Sequence, residues 1–396
     1  MRPLAAEVDG GFDWQPRTRL LFGAGTLERL GEVAQSLGGT RALIVTDRGI
    51  VAAGHADRAR GSLKAAGLSA AVYDGVRENP TTEDVDACVA AARDAGADLL
   101  VGLGGGSSID AAKGANFLLT NGGEMRDYWG TGGRATREML PLVAVPTTAG
   151  TGSEVQSFAL ISDAQTHQKM ACGDPKAAPR VALLDPELTL SQPATVTACT
   201  GLDALAHAVE SAVTRRRNPV SWLFAREAFC LLAASFGRVL DDPGDAQVRA
   251  GMLLGAAYAG LAIENSMLGA AHSAANPLTA HFGVVHGQAV GMMLPHVVRF
   301  NAAVTEARAV YAELAALSGS AHPDATAEAL AARLSHLAAR AGMPASLAAC
   351  GVSEGDVAAL AAEAAAQWTA QFNPRDVTAD DFAALYREAL LLEPDQ

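Results

Sequence analysis

The stretch that decides the fold of this chain is "VGLGGGSSID", residues 101–110, in which three consecutive glycines directly follow an apolar run. Glycine permits sharp turns and lets a ligand approach the main chain closely. Ser107 and Ser108 then open a helical segment, so the N–H groups and the positive dipole at that helix end suit a phosphate. The stretch therefore predicts a phosphate-binding turn between a buried strand and a helix.

This glycine loop matches neither of the two common nucleotide-binding motifs. Ser107 stands where G-x-G-x-x-G requires its last glycine, and no Gly-Lys-Ser/Thr sequence follows as in a Walker loop. An ordinary strand-to-helix turn is the alternative interpretation, yet such turns seldom need Gly104, Gly105 and Gly106 in a row. We therefore expect the loop to hold a phosphate group.

Strand-like and helix-like segments alternate on either side of the loop through the first half of the chain. Five apolar runs have the composition of strands: "RALIVTD" (41–47), "AAVYDGV" (70–76), "DLLVGL" (98–103), "PLVAVP" (141–146) and "RVALLD" (180–185). Helical stretches lie between them, around residues 56–67, after a capping Thr81 or Thr82, and from Ser108 towards Leu119. Fully apolar strands in such an alternation indicate a parallel sheet covered on both faces.

The second half of the chain has a different character. From about Thr195 onward, apolar residues follow helical spacing with hardly a strand between the helical stretches. Two prolines and a shift in composition within "DPELTLSQPA", residues 185–194, indicate a domain boundary. We therefore expect an α/β domain over residues 1–190 and an all-helical domain over residues 191–396.

Composition and charge exclude several classes of partner. The net charge of −13 argues against binding to nucleic acid or to an anionic membrane. No apolar run reaches transmembrane length, and the first residues lack the apolar core of a signal peptide, so we expect a cytoplasmic protein. The five cysteines form no CxxC pair, which fits free thiols rather than a zinc knuckle or disulfides.

A second motif, "TGLDALAHAVES", places Asp203 and His207 four residues apart on one face of a helix. Asp203 has a purely structural alternative, because Thr200 three residues earlier would complete a capping box. His272 and His286 lie in segments of small, apolar residues without an obvious ion-pair partner. A buried imidazole is costly in such surroundings unless it is bonded to something.

Asp203, His207, His272 and His286 together would supply one carboxylate and three imidazoles to a metal ion. Mixed nitrogen and oxygen ligands suit Fe(II), with Zn(II) and Mn(II) as competitors. His281 and His296 are possible substitutes for His286. We favour His286 because the glycine after it allows close packing around an ion.

Two further features point to a dinucleotide. Asp47 ends an early strand, where its carboxylate can bind ribose hydroxyls and would repel a 2′-phosphate, although a solvated turn aspartate is the alternative. Thr147, Thr148 and Thr151 follow another strand in "VPTTAGTGSE" and offer hydroxyls to a phosphate, a ribose or a nicotinamide amide. A hydroxyl-rich turn is the alternative for these threonines.

These motifs resemble the iron-containing, or group III, alcohol dehydrogenase family. The resemblance rests on "GGGSSIDAAK", "PTTAGTGSEV", "TGLDALAHAVES", "ENSMLGAAH", "VVHGQAVGMMLPHVVRFN" and "FNPRDVT". It implies a dinucleotide-binding α/β domain with a parallel sheet, followed by an all-α metal-binding domain. It also implies a homodimer or a larger homo-oligomer.

The resemblance implies an NAD(H)-linked alcohol dehydrogenase or aldehyde reductase in which a divalent metal polarises the substrate oxygen for hydride transfer. The metal, usually Fe(II), would be held by Asp203, His207, His272 and His286, with His272 and His286 taking part in catalysis. NAD(H) is favoured over NADP(H) by Asp47. The implied cofactor-binding residues are Asp47, Asn79, Gly104, Gly105, Gly106, Ser107, Asp110, Thr147, Thr148, Thr151 and Lys169.

One departure from the family pattern concerns the substrate. Many members carry a histidine where this chain has Asn276, and asparagine does not titrate near neutral pH. By analogy Asn276 would line the substrate pocket with Phe158 and Ile263, although the last two have core packing as an equal alternative. Other activities within reach of the resemblance are a maleylacetate-type reductase, a polyol or hydroxyacid dehydrogenase, and a dehydroquinate-synthase-like lyase.

Overall fold

The computed structural model describes residues 12–131, 135–166, 168–317 and 325–391. The chain divides into two compact units, and the division falls between Gln192 and Pro193. The first unit is Gln15–Gln192. The second contains the chain from Pro193 onward together with the described residues up to Trp14.

The first unit is built around a six-stranded parallel sheet in the order β1-β9-β6-β4-β2-β3. Its strands, with those of a smaller sheet, are β1 (Arg19–Phe22), β2 (Arg41–Val45), β3 (Ser69–Tyr73), β4 (Leu99–Gly104), β5 (Gly130–Thr131), β6 (Leu142–Pro146), β7 (Phe158–Ser162), β8 (Lys169–Gly173) and β9 (Val181–Leu184). Its helices are α1 (Leu30–Ser36), α2 (Arg48–Ala52), α3 (His55–Ala65), α4 (Thr82–Asp94) and α5 (Gly106–Asn121).

Both faces of the large sheet are covered. Alternate side chains of β2 enter different hydrophobic cores, with Leu43 and Val45 in one and Ala42 and Ile44 in the other. Successive side chains of a strand point to opposite faces, so a strand buried on both faces has to be apolar throughout. The predicted fold class, a covered parallel sheet followed by helices, is confirmed.

Two parts of the first unit were not predicted from the sequence. Strand β1 lies at the edge of the large sheet and pairs in parallel with β9. Strands β5, β8 and β7 form a separate three-stranded sheet, in which β7 and β8 are antiparallel. The sequence pattern does not reveal these strands because they are short and, as in β1, partly exposed. They therefore lack the continuous apolar run of a central strand.

The second unit is helical, and no strand occurs among its described residues. Its helices are α6 (Ala194–Ser211), α7 (Pro219–Asp241), α8 (Ala246–Glu264), α9 (Ala270–Phe282), α10 (His286–Asn301), α11 (Thr305–Leu317), α12 (Ala327–Arg340), α13 (Val357–Ala366) and α14 (Ala379–Leu390). Helix α6 is buried along most of its length and packs against α7, α8 and α10.

Helices α6 and α10 touch main chain to main chain. A Cβ atom placed on Gly287 would lie 2.0 Å from the carbonyl oxygen of Cys199, a distance that no side chain tolerates. The glycine after His286 therefore serves the approach of two helices. This contact brings the start of α10 next to the middle of α6.

Among the described residues, one helix is long and apolar enough to cross a membrane by length and composition alone, and it is α8. The expectation that no apolar run reaches that length is therefore wrong. However, 61% of the most apolar window of α8 is buried inside the structure, as in the core helix of a globular protein.

Candidate metal and cofactor sites

Asp203 and His207 lie one turn apart in the middle of α6, and both are buried. The helix begins at Ala194, well before Thr200, so Asp203 is not at a helix start. The capping-box alternative for Thr200 and Asp203 is therefore wrong, and the carboxylate needs another partner.

Three imidazoles surround one oxygen of this carboxylate. The Oδ1 atom of Asp203 lies 3.5 Å from Nε2 of His207, 3.3 Å from Nε2 of His272 and 3.8 Å from Nε2 of His286. The rings of His207 and His272 stack with their centroids 4.8 Å apart. The His286 side chain is 28% exposed, so the group is open to solvent on that side.

The group has the chemistry of a divalent-metal site. The buried Asp203 Oδ1 and His272 Nε2 atoms have no well-formed hydrogen bond among the described residues. The Nδ1 atom of His272 lies 2.5 Å from Oε2 of Glu210, which in the neutral imidazole assigns the ring proton to Nδ1 and leaves a lone pair on Nε2. In that form Asp203 Oδ1 and His272 Nε2 are two buried acceptors that face each other, which is costly unless a cation, either an added proton or a metal ion, lies between them. One oxygen and three nitrogens fit Fe(II), Zn(II) or Mn(II).

The charges within the group shift the pKa values of Asp203 and His272. Burial alone would raise the pKa of Asp203, but the nearby imidazoles outweigh burial and hold it well below its ordinary value. Burial alone would lower the pKa of His272, but Glu210 and Asp203 outweigh burial and raise it to about 9. The metal-free protein therefore keeps a proton in the group near neutral pH, and a metal ion has to displace it.

The two alternative histidines pair with glutamates elsewhere. Nε2 of His281 lies 2.8 Å from Oε2 of Glu363, and both side chains are about half exposed. Nδ1 of His296 lies 3.6 Å from Oε2 of Glu388. The structure thus brings His286 to Asp203 and gives His281 and His296 other partners.

The candidate cofactor residues gather at one edge of the large sheet. Asp47 follows β2, Gly104 ends β4 and Thr147 follows β6, and these three parallel strands are neighbours. The Thr147 N–H donates to the carbonyl oxygen of Gly104 at 2.9 Å. The chain order of the strands reverses between β2 and β4, and open parallel sheets bind ligands at such a point, beyond the carboxyl ends of their strands.

The glycine loop and the threonine cluster pack against each other. A Cβ atom on Gly106 would lie 2.8 Å from Cγ2 of Thr151, and one on Gly105 would lie 3.4 Å from Cγ2 of Thr148. Among the described residues, no side chain caps the start of α5. A helix terminus without a side-chain cap leaves main-chain N–H groups that can bind a phosphate.

Asn79, Ser107 and Lys169 also come together at this edge. The main-chain N–H of Asn79 donates to Oγ of Ser107 at 3.3 Å, and Nζ of Lys169 donates to Oδ1 of Asn79 at 3.4 Å. Asn79 has a φ of 52°, which asparagine adopts more readily than most residues. Polar atoms from three distant parts of the sequence therefore lie beside the start of α5.

The carboxylate of Asp47 has two neighbours. It caps α2 by accepting a hydrogen bond from the N–H of Ile50 at 3.0 Å. Its second oxygen, Oδ2, would lie 3.5 Å from a Cβ atom on Gly104. Asp47 therefore has a structural role in its own turn, where it caps α2. The same carboxylate also borders the glycine loop.

Asp110 has a different place from the one expected. It is buried, its Oδ1 accepts from Oγ of Ser153 at 2.5 Å, and its Oδ2 accepts from the N–H of Leu160 at 3.1 Å. Nζ of the buried Lys113 donates to the carbonyl oxygen of Ser153 at 2.6 Å. Because both oxygens are engaged, Asp110 anchors the segment after the threonine cluster to α5 instead of offering a free group to a cofactor.

The three substrate-pocket candidates differ in their surroundings. Ile263 lies in the last turn of α8 and is buried, which favours its core-packing alternative. Phe158 is half-buried on β7 and packs on Gly173. The half-buried Asn276 donates from Nδ2 to Oε1 of Gln367 at 3.0 Å, so its amide is held in place.

Glu210 is a residue beside the candidate metal site that the sequence interpretation missed. It lies seven residues after Asp203 and three after His207, so helical geometry puts all three side chains on one face of α6. This spacing was the available signal. The contact of Glu210 with His272 was not visible, because the two residues are 62 positions apart.

Comparison with known proteins supports one family over almost the whole chain. Residues 16–186 match the model of the iron-containing alcohol dehydrogenases, and residues 197–390 match the C-terminal model of the same family. The 1,3-propanediol dehydrogenase of Klebsiella pneumoniae is 35% identical over 383 residues, which cover 96% of this chain and 98% of that protein.

The descriptions of two other similar proteins mention the cofactor NAD. The NAD-dependent methanol dehydrogenase of Bacillus methanolicus is 35% identical over 373 residues, covering 93% of this chain and 97% of that one. The structure of sulfoacetaldehyde reductase from Bifidobacterium kashiwanohense in complex with NAD+ has a TM-score of 0.88 at 28% identity, covering 97% and 100% of the two chains. The resemblance noted in the sequence is confirmed, and the chain is an oxidoreductase that belongs to the iron-containing alcohol dehydrogenase family.

Proposed function

We propose that Asp203, His207, His272 and His286 hold the divalent metal of this enzyme and that the glycine loop holds NAD(H). The chain is a metal-dependent, NAD(H)-linked alcohol dehydrogenase or aldehyde reductase. The observation that carries the assignment of the metal residues is the single Asp203 oxygen within 3.8 Å of three imidazole nitrogens. When bound, the ion supplies Lewis acidity to the substrate oxygen, with Fe(II) as the first choice and Zn(II) or Mn(II) as competitors.

Other residues and groups of the chain balance the charge of the ion, bind the cofactor and select NAD(H). Asp203 contributes a negative charge that offsets part of the charge of the ion, while the imidazoles act as neutral ligands. The bare start of α5 binds the pyrophosphate of the cofactor through main-chain N–H groups. Asp47 accepts hydrogen bonds from the adenosine ribose and excludes a 2′-phosphate, so NAD(H) is preferred to NADP(H).

We also propose that the substrate is a short alcohol or its aldehyde. Relatives at 28–35% identity are named for 1,3-propanediol, methanol and sulfoacetaldehyde, so the class is supported by several of them while the individual compound differs. Asn276 would contact that substrate without exchanging a proton, because an amide does not titrate near neutral pH. Phe158 and Ile263 remain candidate substrate residues by analogy with the family, each with core packing as its alternative.

The positions of these residues in the chain give each domain its own role in this proposal. We propose residues 1–190 as the dinucleotide-binding domain and residues 191–396 as the metal and substrate domain. The separation of the chain at Gln192 and Pro193 lies close to that boundary and supports it. We further propose a homodimer or larger homo-oligomer that acts in the cytoplasm.

The experiment replaces one ligand and one matched histidine of the same helix. After chelator treatment, the wild type, His272→Ala and His281→Ala are reloaded with Fe(II), Zn(II) or Mn(II) and tested for NADH-linked reduction of short aldehydes and oxo-acids. We expect His272→Ala to lose both bound metal and activity. His281→Ala should keep both, since His281 pairs with Glu363 at the surface. Full metal content and activity in His272→Ala would refute the assignment.

A further inference from the structure

The start of α9 is capped by side chains from two other parts of the chain. The helix follows Gly269, which has no side chain to cap it. The N–H of Ala270 donates to Oδ1 of Asn373 at 3.3 Å, and the N–H of Ala271 donates to Oε1 of Glu210 at 2.6 Å. The first N–H groups of a helix lack partners within the helix, so these two contacts satisfy donors that would otherwise be buried without one.

Glu210 does more than cap this helix. Its second oxygen, Oε2, accepts a hydrogen bond from Nδ1 of His272 at 2.5 Å. The side chains of Glu210 and His272 are each only 4% exposed, so water does not weaken the contact. One buried carboxylate therefore ties the main chain of α9 and the imidazole that this helix carries to α6.

Asn373 is held as firmly as Glu210. Its Nδ2 donates to Oδ1 of Asn301 at 2.8 Å, and Nδ2 of Asn301 donates back to Oδ1 of Asn373 at 3.0 Å. Both side chains are almost fully buried. This reciprocal amide pair gives a structural role to Asn373 of "FNPRDVT". That motif contributes no residue to the candidate cofactor site or to the candidate metal site.

The absence of a side chain at Gly269 is part of the arrangement. A Cβ atom there would lie 3.1 Å from Oδ1 of Asn373 and 3.2 Å from Oε1 of Glu210, closer than side chains normally pack. A methyl group at residue 269 would push these two acceptors back from the helix start by a few tenths of an ångström. The glycine, the glutamate and the asparagine thus form one structural unit, which we call the α9 clamp.

We propose that Glu210 is a positioning residue for the metal site, and that the α9 clamp of Gly269, Glu210 and Asn373 holds His272 with Nε2 facing Asp203. The proposal rests on the metal site proposed above. A carboxylate that accepts the Nδ1 proton fixes the tautomer and the ring orientation of a ligating histidine, and it makes the other nitrogen a better ligand. Glu210 itself does not touch the ion.

The decisive variant is Glu210→Gln, which keeps the size of the side chain. The N–H of Ala271 and the Nδ1–H of His272 both donate to the glutamate, whereas an amide has only one oxygen. Its NH2 group must face one of these donors, or force His272 into the tautomer that protonates Nε2. We expect the affinity for Co(II), used as a spectroscopic probe, to fall about 10–100-fold. The visible absorption spectrum of the Co(II)-loaded protein should change as well.

The chain offers a matched control in Glu363→Gln. This variant removes the carboxylate that pairs with His281, another histidine of α9, at the surface. We expect the Co(II) affinity and spectrum of Glu363→Gln to equal those of the wild type. Gly269→Ala provides a second approach without a change of charge, since its methyl group crowds both acceptors, and it should alter the same spectrum with a smaller loss of affinity.

The outcomes separate this proposal from the one it rests on. Binding of Co(II) and NADH, together with far-ultraviolet circular dichroism, is measured for the wild type and the three variants. If the wild type binds Co(II) and a folded Glu210→Gln binds it with equal affinity and an unchanged spectrum, the positioning role is refuted and the metal site stands. If Glu210→Gln does not fold, an unchanged spectrum in Gly269→Ala refutes it instead. A wild type that binds no Co(II) overturns both proposals.

Discussion

Nε2 of His207 lies 3.5 Å from Oδ1 of Asp203, its neighbour one turn earlier in α6. Both side chains project from a single helix, so their separation does not depend on how other helices pack. His272 and His286 reach the same oxygen from α9 and α10, and their positions depend on tertiary contacts. The α6 pair is the fixed half of the group, and His272 and His286 are the half that depends on helix packing.

Asp203→Asn tests the fixed half. The substitution keeps the shape of the side chain and removes the negative charge that faces all three imidazoles. We expect the metal affinity to fall by more than the roughly 10–100-fold typical of an outer partner, while the metal-free protein stays folded. Metal content after dialysis, measured by mass spectrometry, checks this. Asp376→Asn, at an exposed carboxylate, is the control, and an unchanged metal content in Asp203→Asn would contradict the prediction.

Gly287→Ala tests the contact that carries His286. Its methyl group would overlap the carbonyl oxygen of Cys199, which is main chain and does not rotate away. We expect a loss of stability at or above the roughly 1–3 kcal/mol of overpacked cores. Denaturant unfolding of the metal-free proteins measures it. Gly61→Ala, in open space on α3, should be neutral or stabilising, and equal behaviour of the two variants would count against the helix contact.

Asp47→Asn tests cofactor choice. Asparagine can still cap α2 through its side-chain oxygen, but it no longer repels a 2′-phosphate. We expect the ratio of kcat/KM for NADPH to that for NADH to rise at least about tenfold, equivalent to about 1.4 kcal/mol. Steady-state kinetics with both cofactors give the ratio. A ratio equal to that of the wild type would show that Asp47 only caps the helix.

Glu154→Gln tests the pH dependence of the segment after the threonine cluster. Burial raises the pKa of Glu154 from 4.5 to about 7 in the folded protein. A raised folded-state pKa contributes stability that is full below pH 4.5 and is lost as the pH rises through 7. The wild type should therefore lose on the order of 3 kcal/mol relative to Glu154→Gln between pH 4.5 and 8. Urea unfolding at several pH values measures the difference, and parallel curves for the two proteins would disprove it.

Local sequence patterns predicted the central features well. Four of the five expected strands of the large sheet, β2, β4, β6 and β9, are almost wholly buried apolar runs, as burial on both faces demands. The fifth, β3, is a partly exposed edge strand. The spacing of Asp203 and His207 placed both on one helix face, since helical geometry is a local property. His272 and His286 were singled out by their small, apolar surroundings, and the resemblance to a family then supported them. No local pattern reveals that they pair with α6.

Tertiary contacts account for what was missed. Glu210 was passed over because its partner His272 is 62 residues away and lies on another helix, whose rotation the sequence does not fix. The resemblance to a family implied that Asp110 binds the cofactor. Asp110 points instead at Ser153, since helix α5 turns that side chain towards the interior. Short, half-exposed strands such as β1 carry too few residues for a pattern to emerge.

The meeting of main chain with main chain at Gly287 and Cys199 bears on how an enzyme of this kind can diversify. Where side chains separate two helices, every substitution between them changes the gap and shifts whatever the helices carry. Here no side chain fills the gap between Gly287 and Cys199, so the size of a side chain does not set the distance between the two helices at this point. New substrates can be accommodated by altering neighbouring side chains while the spacing of the ion-binding groups stays the same.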